Sequence, residues 1–295
     1  MKAYDTKDLA QFLFVIRKSD TLTRLAPMIV FLIAYSAGIV YLELEFFKFP
    51  SDSWLRNLPV MHTLLSFVIS MLLVFRTNTA YDRWWEGRKL WGNLVNNSRN
   101  FAIKLDAMLP ESDEDNRSYF RRIIPLYAYV LKDHLQSNQT KFSLADSDSA
   151  KEHFIPMDMN KHVPNQVAKQ MFARIHQLHL SGQISGDQLI VLNGEVSSFT
   201  DICGACERIL NTPIPYSYSA FIKKFIMLYT LTLPIGYSFT LGYLAAPIVG
   251  FVFYVLASLE LIAEEIEEPF GTDSNDLPMD KMSENIDRHV GEIFE

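Results

Sequence analysis

The chain has 295 residues, a net charge of −7 and two cysteines. The acidic balance argues against a general nucleic-acid partner, which would want a basic stripe, and two cysteines give no disulfide framework. Mean hydropathy is barely positive, but that average hides two long apolar blocks diluted by the polar region between them.

In chain order, Met1–Asp20 is charged and mixed, without the short apolar core and small-residue cleavage site of a secretory signal. The first span is therefore expected to target the chain. Leu25–Leu42 and Val60–Phe75 form the first apolar block, and Phe225–Ile262 the second. A membrane-crossing helix needs about 20 apolar residues. The second block is about twice that length and contains Pro234 and Pro247, which argues for a hairpin turning near Gly242–Pro247. Four spans are expected, at about 25–45, 60–80, 222–241 and 246–264.

Basic residues set the orientation. Lys2, Lys7, Arg17, Lys18 and Arg24 precede span one, Arg76, Arg83, Arg88 and Lys89 follow span two, and Lys223 and Lys224 precede span three. Between spans one and two, Glu43, Glu45 and Asp52 face only Lys48 and Arg56. The positive-inside rule places both termini and the polar parts, about 81–220 and 265–295, in the cytoplasm of a multi-pass inner-membrane protein.

The polar region reads as helical at Arg83–Asp106, Tyr119–Leu135, Asn165–Leu180 and Asp187–Ile209, with a loop over Ser137–Ala150 and a turn over Ser181–Gly186. Phe75–Trp85 lacks Gly and Pro, so span two is expected to continue into the first polar helix. The fold class is all-α.

Arg83-Trp84-Trp85-Glu86 reads either as an interfacial packing cluster or as the support of a conduit mouth. Cys203-Gly204-Ala205-Cys206 is a single CxxC on a helix; core packing explains it better than zinc, which would need two further ligands. His176 and His179 have no acidic partner at ligand spacing, and no metal cluster, Gly-rich phosphate loop or nucleophile elbow is visible between Thr77 and Ala220. Glu264, Glu265, Glu267 and Glu268 crowd the end of span four, to be solvated or paired with a neighbour's basic residues. Beyond them Asp273 and Asp276 present oxygens a short loop apart that could hold a hard cation, though not at the twelve-residue Ca²⁺-loop spacing. In span two, Phe67, Met71 and Phe75 stand four residues apart on one row, facing either lipid or a conduit.

Three blocks then resemble the bestrophin family, especially its bacterial branch. They are Phe75-Arg76-Thr77-Asn78 running to Arg83-Trp84-Trp85-Glu86 and Gly92; Gly204–Ile209 with Thr212-Pro213-Ile214-Pro215; and Glu267–Gly271 with Asn275–Pro278. The resemblance covers about 24–278 in family order. It implies one bestrophin-like domain over 1–295, forming a homopentameric ion channel in membrane lipid with four spans per subunit around a central pore. It implies that Phe67, Met71 and Phe75 form three hydrophobic rings of the neck, a hydrophobic gate. A second, cytoplasmic aperture carries over to Gln188, with Ile184 as the fallback. Glu265, Glu268, Asp273 and Asp276 occupy the position of the animal Ca²⁺ loop, but Ser274 and Asn275 interrupt the acidic run, leaving at most a weakly bound divalent cation and no certain cofactor. Animal members pass anions and bacterial relatives are associated with cations. The acidic chain favours monovalent cations as the conducted inorganic ions, with chloride as the alternative. A membrane-anchored enzyme or an alternating-access transporter is the competing class.

Overall fold

In a computed structural model of the chain, residues 21–50, 53–137, 158 and 160–295 are described. Every regular element among them is helical. The N-terminal stretch to Asp20, Asp52 and nearly all of the expected Ser137–Ala150 loop lie outside the described residues.

Three helical stretches, Thr21–Phe46, Trp54–Met108 and Tyr216–Glu267, are long and apolar enough to cross a membrane. The first is α1, Thr21–Tyr41, extended by a π-helical turn over Leu42–Phe46. The second is a 3-10 turn followed by α2, Leu58–Met108. At 51 residues α2 is about 75 Å long, and it passes from the apolar block into the Arg83–Trp85 segment without a break, as the absence of Gly and Pro there predicts.

The third stretch holds α6, Tyr216–Thr232, α7, Pro234–Leu241, a 3-10 turn over Gly242–Leu244, and α8, Ala245–Glu267. The sequence reading made the prolines the obstacle to a single helix. Both instead sit at helix starts, Pro234 opening α7 and Pro247 in the first turn of α8, where a missing N–H costs little. Between α7 and α8 stands Gly242, whose φ of +54° is left-handed backbone that glycine adopts without steric penalty.

The remaining helices are α3, Glu114–Ser137, α4, Val163–Leu180, α5, Gly186–Asn211, and α9, Met279–Ile293. Three of the expected polar helices are therefore present with ends shifted by a few residues, the fourth, Arg83–Asp106, is the later part of α2, and α9 adds an amphipathic helix near the C-terminus.

The chain divides into two compact units. Of the described residues, the apolar unit comprises those from Thr21 to Asp82 with Ile214–Glu267, and the polar unit those of Arg83–Pro213 with Glu268–Glu295. In the apolar unit, Leu32, Ile69, Leu73, Ile226 and Phe253 share one core. α1 lies so close to α8 that a Cβ on Gly250 would come within 2.6 Å of Ile33 Cγ1. Small residues permit this approach between helices in lipid, where dispersion contacts replace the hydrophobic drive. In the polar unit, Trp91, Phe101, Phe120, Tyr127 and Phe199 fill the centre. Phe101 meets Phe120 and Phe199 edge-on at 5.8 and 6.0 Å, and the Tyr127 hydroxyl donates to the Phe199 carbonyl at 2.9 Å. Cys203 and Cys206 are buried in this core as free thiols. Burial pushes the Cys203 thiol up to about 12 and raises Cys206 as well, so both remain protonated packing residues.

Candidate pore-lining face and its supports

α2 presents two faces within the apolar unit. His62, Ile69, Leu73, Arg76 and Ala80 are buried at helical spacing. The opposite side carries the predicted row: Phe67 is 71% exposed, Met71 45% and Phe75 57%, against 2% for Leu73. Hydroxyls along this segment are satisfied by its own backbone, Thr63 donating to the Pro59 carbonyl at 2.9 Å and Ser66 to Thr63 at 2.7 Å. Such back-bonding removes the cost of a hydroxyl beside lipid or a partner helix. The row itself carries no charge, so any discrimination there acts through dehydration and ring electrostatics.

Just past Phe75, Arg76 turns inward and is fully buried. Its Nη2 lies 2.7 Å from a Glu267 oxygen and its Nε 3.5 Å from Glu260. The other Glu267 oxygen accepts from the Ile214 N–H at 2.7 Å. Glu265 accepts from Arg24 at 2.6 Å and Glu264 from Lys223 at 2.8 Å. Three of the four carboxylates of the run that looked self-repelling in sequence, Glu264, Glu265 and Glu267, are thus paired within the chain itself, by bases on α1, α2 and α6. An arginine buried among carboxylates fixes the rotation of α2 about its axis, and with it the side to which Phe75 points.

The Arg83-Trp84-Trp85-Glu86 cluster has a specific task in the polar unit. Arg83 donates to the Ile209 and Thr212 carbonyls at 2.6 and 2.5 Å, satisfying backbone oxygens that the C-terminus of α5 leaves open. Glu86 pairs with Arg208 at 2.9 Å. The Trp84 indole donates to the Asn275 carbonyl at 3.0 Å. One turn on, a Cβ on Gly87 would stand 3.2 Å from both Pro269 and Phe270, so the glycine admits the turn that follows α8. The three sequence blocks that carry the family resemblance therefore meet at one place.

The other predicted site residues fall differently. Gln188 is half-buried and spends its side chain on the N-terminus of α5: its Oε1 accepts from the Ser185 N–H at 2.8 Å, while Ser185 Oγ accepts from the Gln188 N–H at 3.2 Å. Ile184 is packed into the core of the polar unit and is not presented to solvent. Ile190 and Val191, in the first turns of α5, are exposed apolar side chains. In the acidic loop, Glu268 and Asp273 are exposed and Asp276 is buried, accepting from the Asp273 N–H at 2.5 Å. That bond makes Asp276 a brace of its own turn, which the Leu277 N–H closes on the Pro269 carbonyl at 2.9 Å.

Reading along the chain shows no metal cluster between Thr77 and Ala220, and the fold brings one candidate set of ligand-type side chains together there. Among the described residues one set of three His, Cys, Asp or Glu side chains has its ligand atoms within 4.8 Å of one another: His134, His162 and Glu207. Their separation in sequence, across α3, α4 and α5, matches no ligand-spacing pattern, which is why reading along the chain misses them.

A bacterial/fungal bestrophin family model matches residues 2–292. The chain belongs to this family. Among curated relatives, a voltage-dependent anion channel-forming protein of Nostoc sp. is 35% identical over 239 residues, 80% of this chain and 78% of the relative. The voltage-dependent anion channel-forming protein YneE of Escherichia coli K12 is 30% identical over 245 residues, 79% of this chain and 78% of its own. A crystal structure of a bacterial bestrophin homolog from Klebsiella pneumoniae superposes with a TM-score of 0.75, at 23% identity, over 91% of this chain and 98% of that one. The all-helical bestrophin-like fold is thereby shared.

Proposed function

We propose that this bestrophin assembles as a homopentamer in the bacterial cell membrane and passes small anions through a pore whose neck is lined by Phe67, Met71 and Phe75. The observation that carries the reading is the exposed apolar row on α2, held on the side away from the subunit core. Five copies of each residue make three apolar rings about 6 Å apart along the axis. An ion there loses water and gains no charged partner, so a narrow ring limits conduction by dewetting. The anion reading is supported by the relatives named as anion channel-forming proteins. It also has a physical rationale, because an aromatic ring is positive at its edge and an edge-on phenylalanine ring favours an anion. The four expected spans follow if Tyr216–Glu267 crosses twice by way of Gly242. At the cytoplasmic aperture, Gln188 and the neighbouring Ile190 are the side chains best placed to contribute, and Ile184 is replaced in that role because it is packed into the core.

A second reading, conduction of monovalent cations, draws on the net charge of −7 and the exposed Glu268 and Asp273. Reversal potentials of the protein in lipid bilayers under a NaCl gradient separate the two: the anion reading requires a shift toward the chloride potential, and a shift toward the sodium potential overturns it. In the same assay Met71→Ala is expected to raise flux severalfold without reordering ion preference, and Phe67→Ala and Phe75→Ala to act alike. Leu73→Ala removes a core side chain and should cost about 2–5 kcal/mol of stability while leaving the neck intact. Flux opened by Leu73→Ala and untouched by all three ring substitutions would overturn the register.

A further inference from the structure

His134 stands in the last turn of α3, His162 is the N-cap of α4, and Glu207 lies in the last turns of α5. Both imidazole Nε2 atoms converge on one carboxylate oxygen, Glu207 Oε1, His134 at 2.7 Å and His162 at 2.6 Å. The two rings are 4.5 Å apart and tilted by 52°. All three side chains are between a fifth and a third exposed, so an ion has a way in while the polar atoms remain partly shielded.

Two imidazole nitrogens and one carboxylate oxygen form a donor set for a borderline divalent ion. Ca²⁺ and Mg²⁺ favour oxygen donors, whereas Zn²⁺ takes nitrogen with oxygen and tolerates three protein ligands plus water. Bonds of about 2.0–2.2 Å in a tetrahedral site set neighbouring ligand atoms about 3.3 Å apart. The present contacts of 2.6 and 2.7 Å must widen by well under an ångström, within reach of small rotations of three partly exposed side chains. We propose that His134, His162 and Glu207 form a divalent transition-metal site of the Zn²⁺ class, with a fourth position for water, that ties the ends of α3, α4 and α5 together.

The tautomers make the proposal specific. A carboxylate can only accept, so in the structure shown each imidazole holds its proton on Nε2, the nitrogen that would ligate. His162 Nδ1 meanwhile accepts from the Asn165 N–H at 3.2 Å as the cap of α4. When the metal takes Nε2, the ring proton moves to Nδ1, which then cannot accept. The cap bond is given up in exchange for the metal bond, so ion binding and the start of α4 are coupled.

The test uses full-length protein in mild detergent, dialysed against buffered free Zn²⁺, with bound metal measured by mass spectrometry and Co²⁺ substitution read by visible absorption. One metal per chain and a tetrahedral Co²⁺ spectrum are expected. His134→Gln and Glu207→Gln should each weaken binding by more than the about 10–100-fold that loss of an outer-shell partner costs. His162→Asn is the deciding variant. Asparagine is a good N-cap and restores the bond to Asn165, but it removes the imidazole ligand. A purely structural His–Glu–His clamp would leave metal content the same in wild type and His162→Asn. Zn²⁺ should raise the melting temperature of wild type and of none of the three variants. Metal content in His162→Asn or in the His134→Gln/Glu207→Gln double variant equal to wild type, or no binding to wild type at micromolar free Zn²⁺, overturns the site.

Discussion

Single residues of this chain act by being committed to partners. Glu207 is partly buried, which by itself would raise its pKa, but hydrogen bonds from His162 and His134 outweigh that and hold its carboxyl below the ordinary range. A group whose folded pKa is depressed contributes stability that is fully present above its unfolded value, and that contribution is lost as pH falls through the folded value. The melting temperature should therefore decline below about pH 4.5 partly through this residue. Glu207→Gln should lower stability at neutral pH, with the gap to wild type closing as the medium is acidified; thermal melts across that range check it, and a gap that widens toward acid would contradict the assignment. Residue identity alone did not announce this group. Glu207 was legible as part of a family block, but its two histidine partners are brought up by helices the sequence places far away. Gln188 shows the converse: the family position was readable, and the capping-box use of its side chain becomes visible once Ser185 is seen to stand just before α5.

At the scale of elements, the long helices were the most readable feature, because apolar runs of membrane-crossing length and the absence of helix breakers are properties of the chain itself. The rotation of α2 was only half readable. Periodicity put Phe67, Met71 and Phe75 on one row, but which way the row faces depends on what holds the opposite face. That is decided by Ile69 and Leu73 in the core and by Arg76 among Glu260 and Glu267. The prolines mark where the block is interrupted, Pro234 opening α7 and Pro247 in the first turn of α8, and the turn expected near Gly242–Pro247 falls at Gly242–Leu244, with the positive φ of Gly242 as the detail that the sequence does not show. Helix approach was not legible either, because it lives in the distance between α1 and α8. At Gly250 the added methyl of alanine would collide with the branched side chain of Ile33. Gly250→Ala should cost about 1–3 kcal/mol through overpacking, measured as earlier unfolding in detergent. Ile33→Ala should relieve much of the strain in the double variant, a coupling that independent sites would not show.

For the whole molecule, the decisive quantity is apolar surface that one subunit leaves uncovered. α2 alone exposes Val60, Leu64, Phe67, Val68, Met71, Val74 and Phe75, which spread over more of its circumference than one row. A helix lining a pore would turn its row, which Leu64 extends seven residues before Met71, to the axis and give the flanks of that row, Val68 and Val74, to neighbouring subunits. A helix facing lipid would need no such neighbours. The two arrangements differ in what detergent extraction leaves intact. The pentameric reading predicts a particle of five 33.9 kDa chains in mild detergent, by light scattering corrected for bound detergent or by native mass spectrometry. A polar substitution such as Val68→Glu on the flank should disperse it to smaller species, since an unpaired charge in an apolar interface is strongly unfavourable. Leu73→Ala should behave differently, lowering the melting temperature while preserving the five-chain mass until unfolding begins. A monodisperse monomer that still conducts ions would remove the shared pore and leave the exposed row of α2 as a lipid-facing surface.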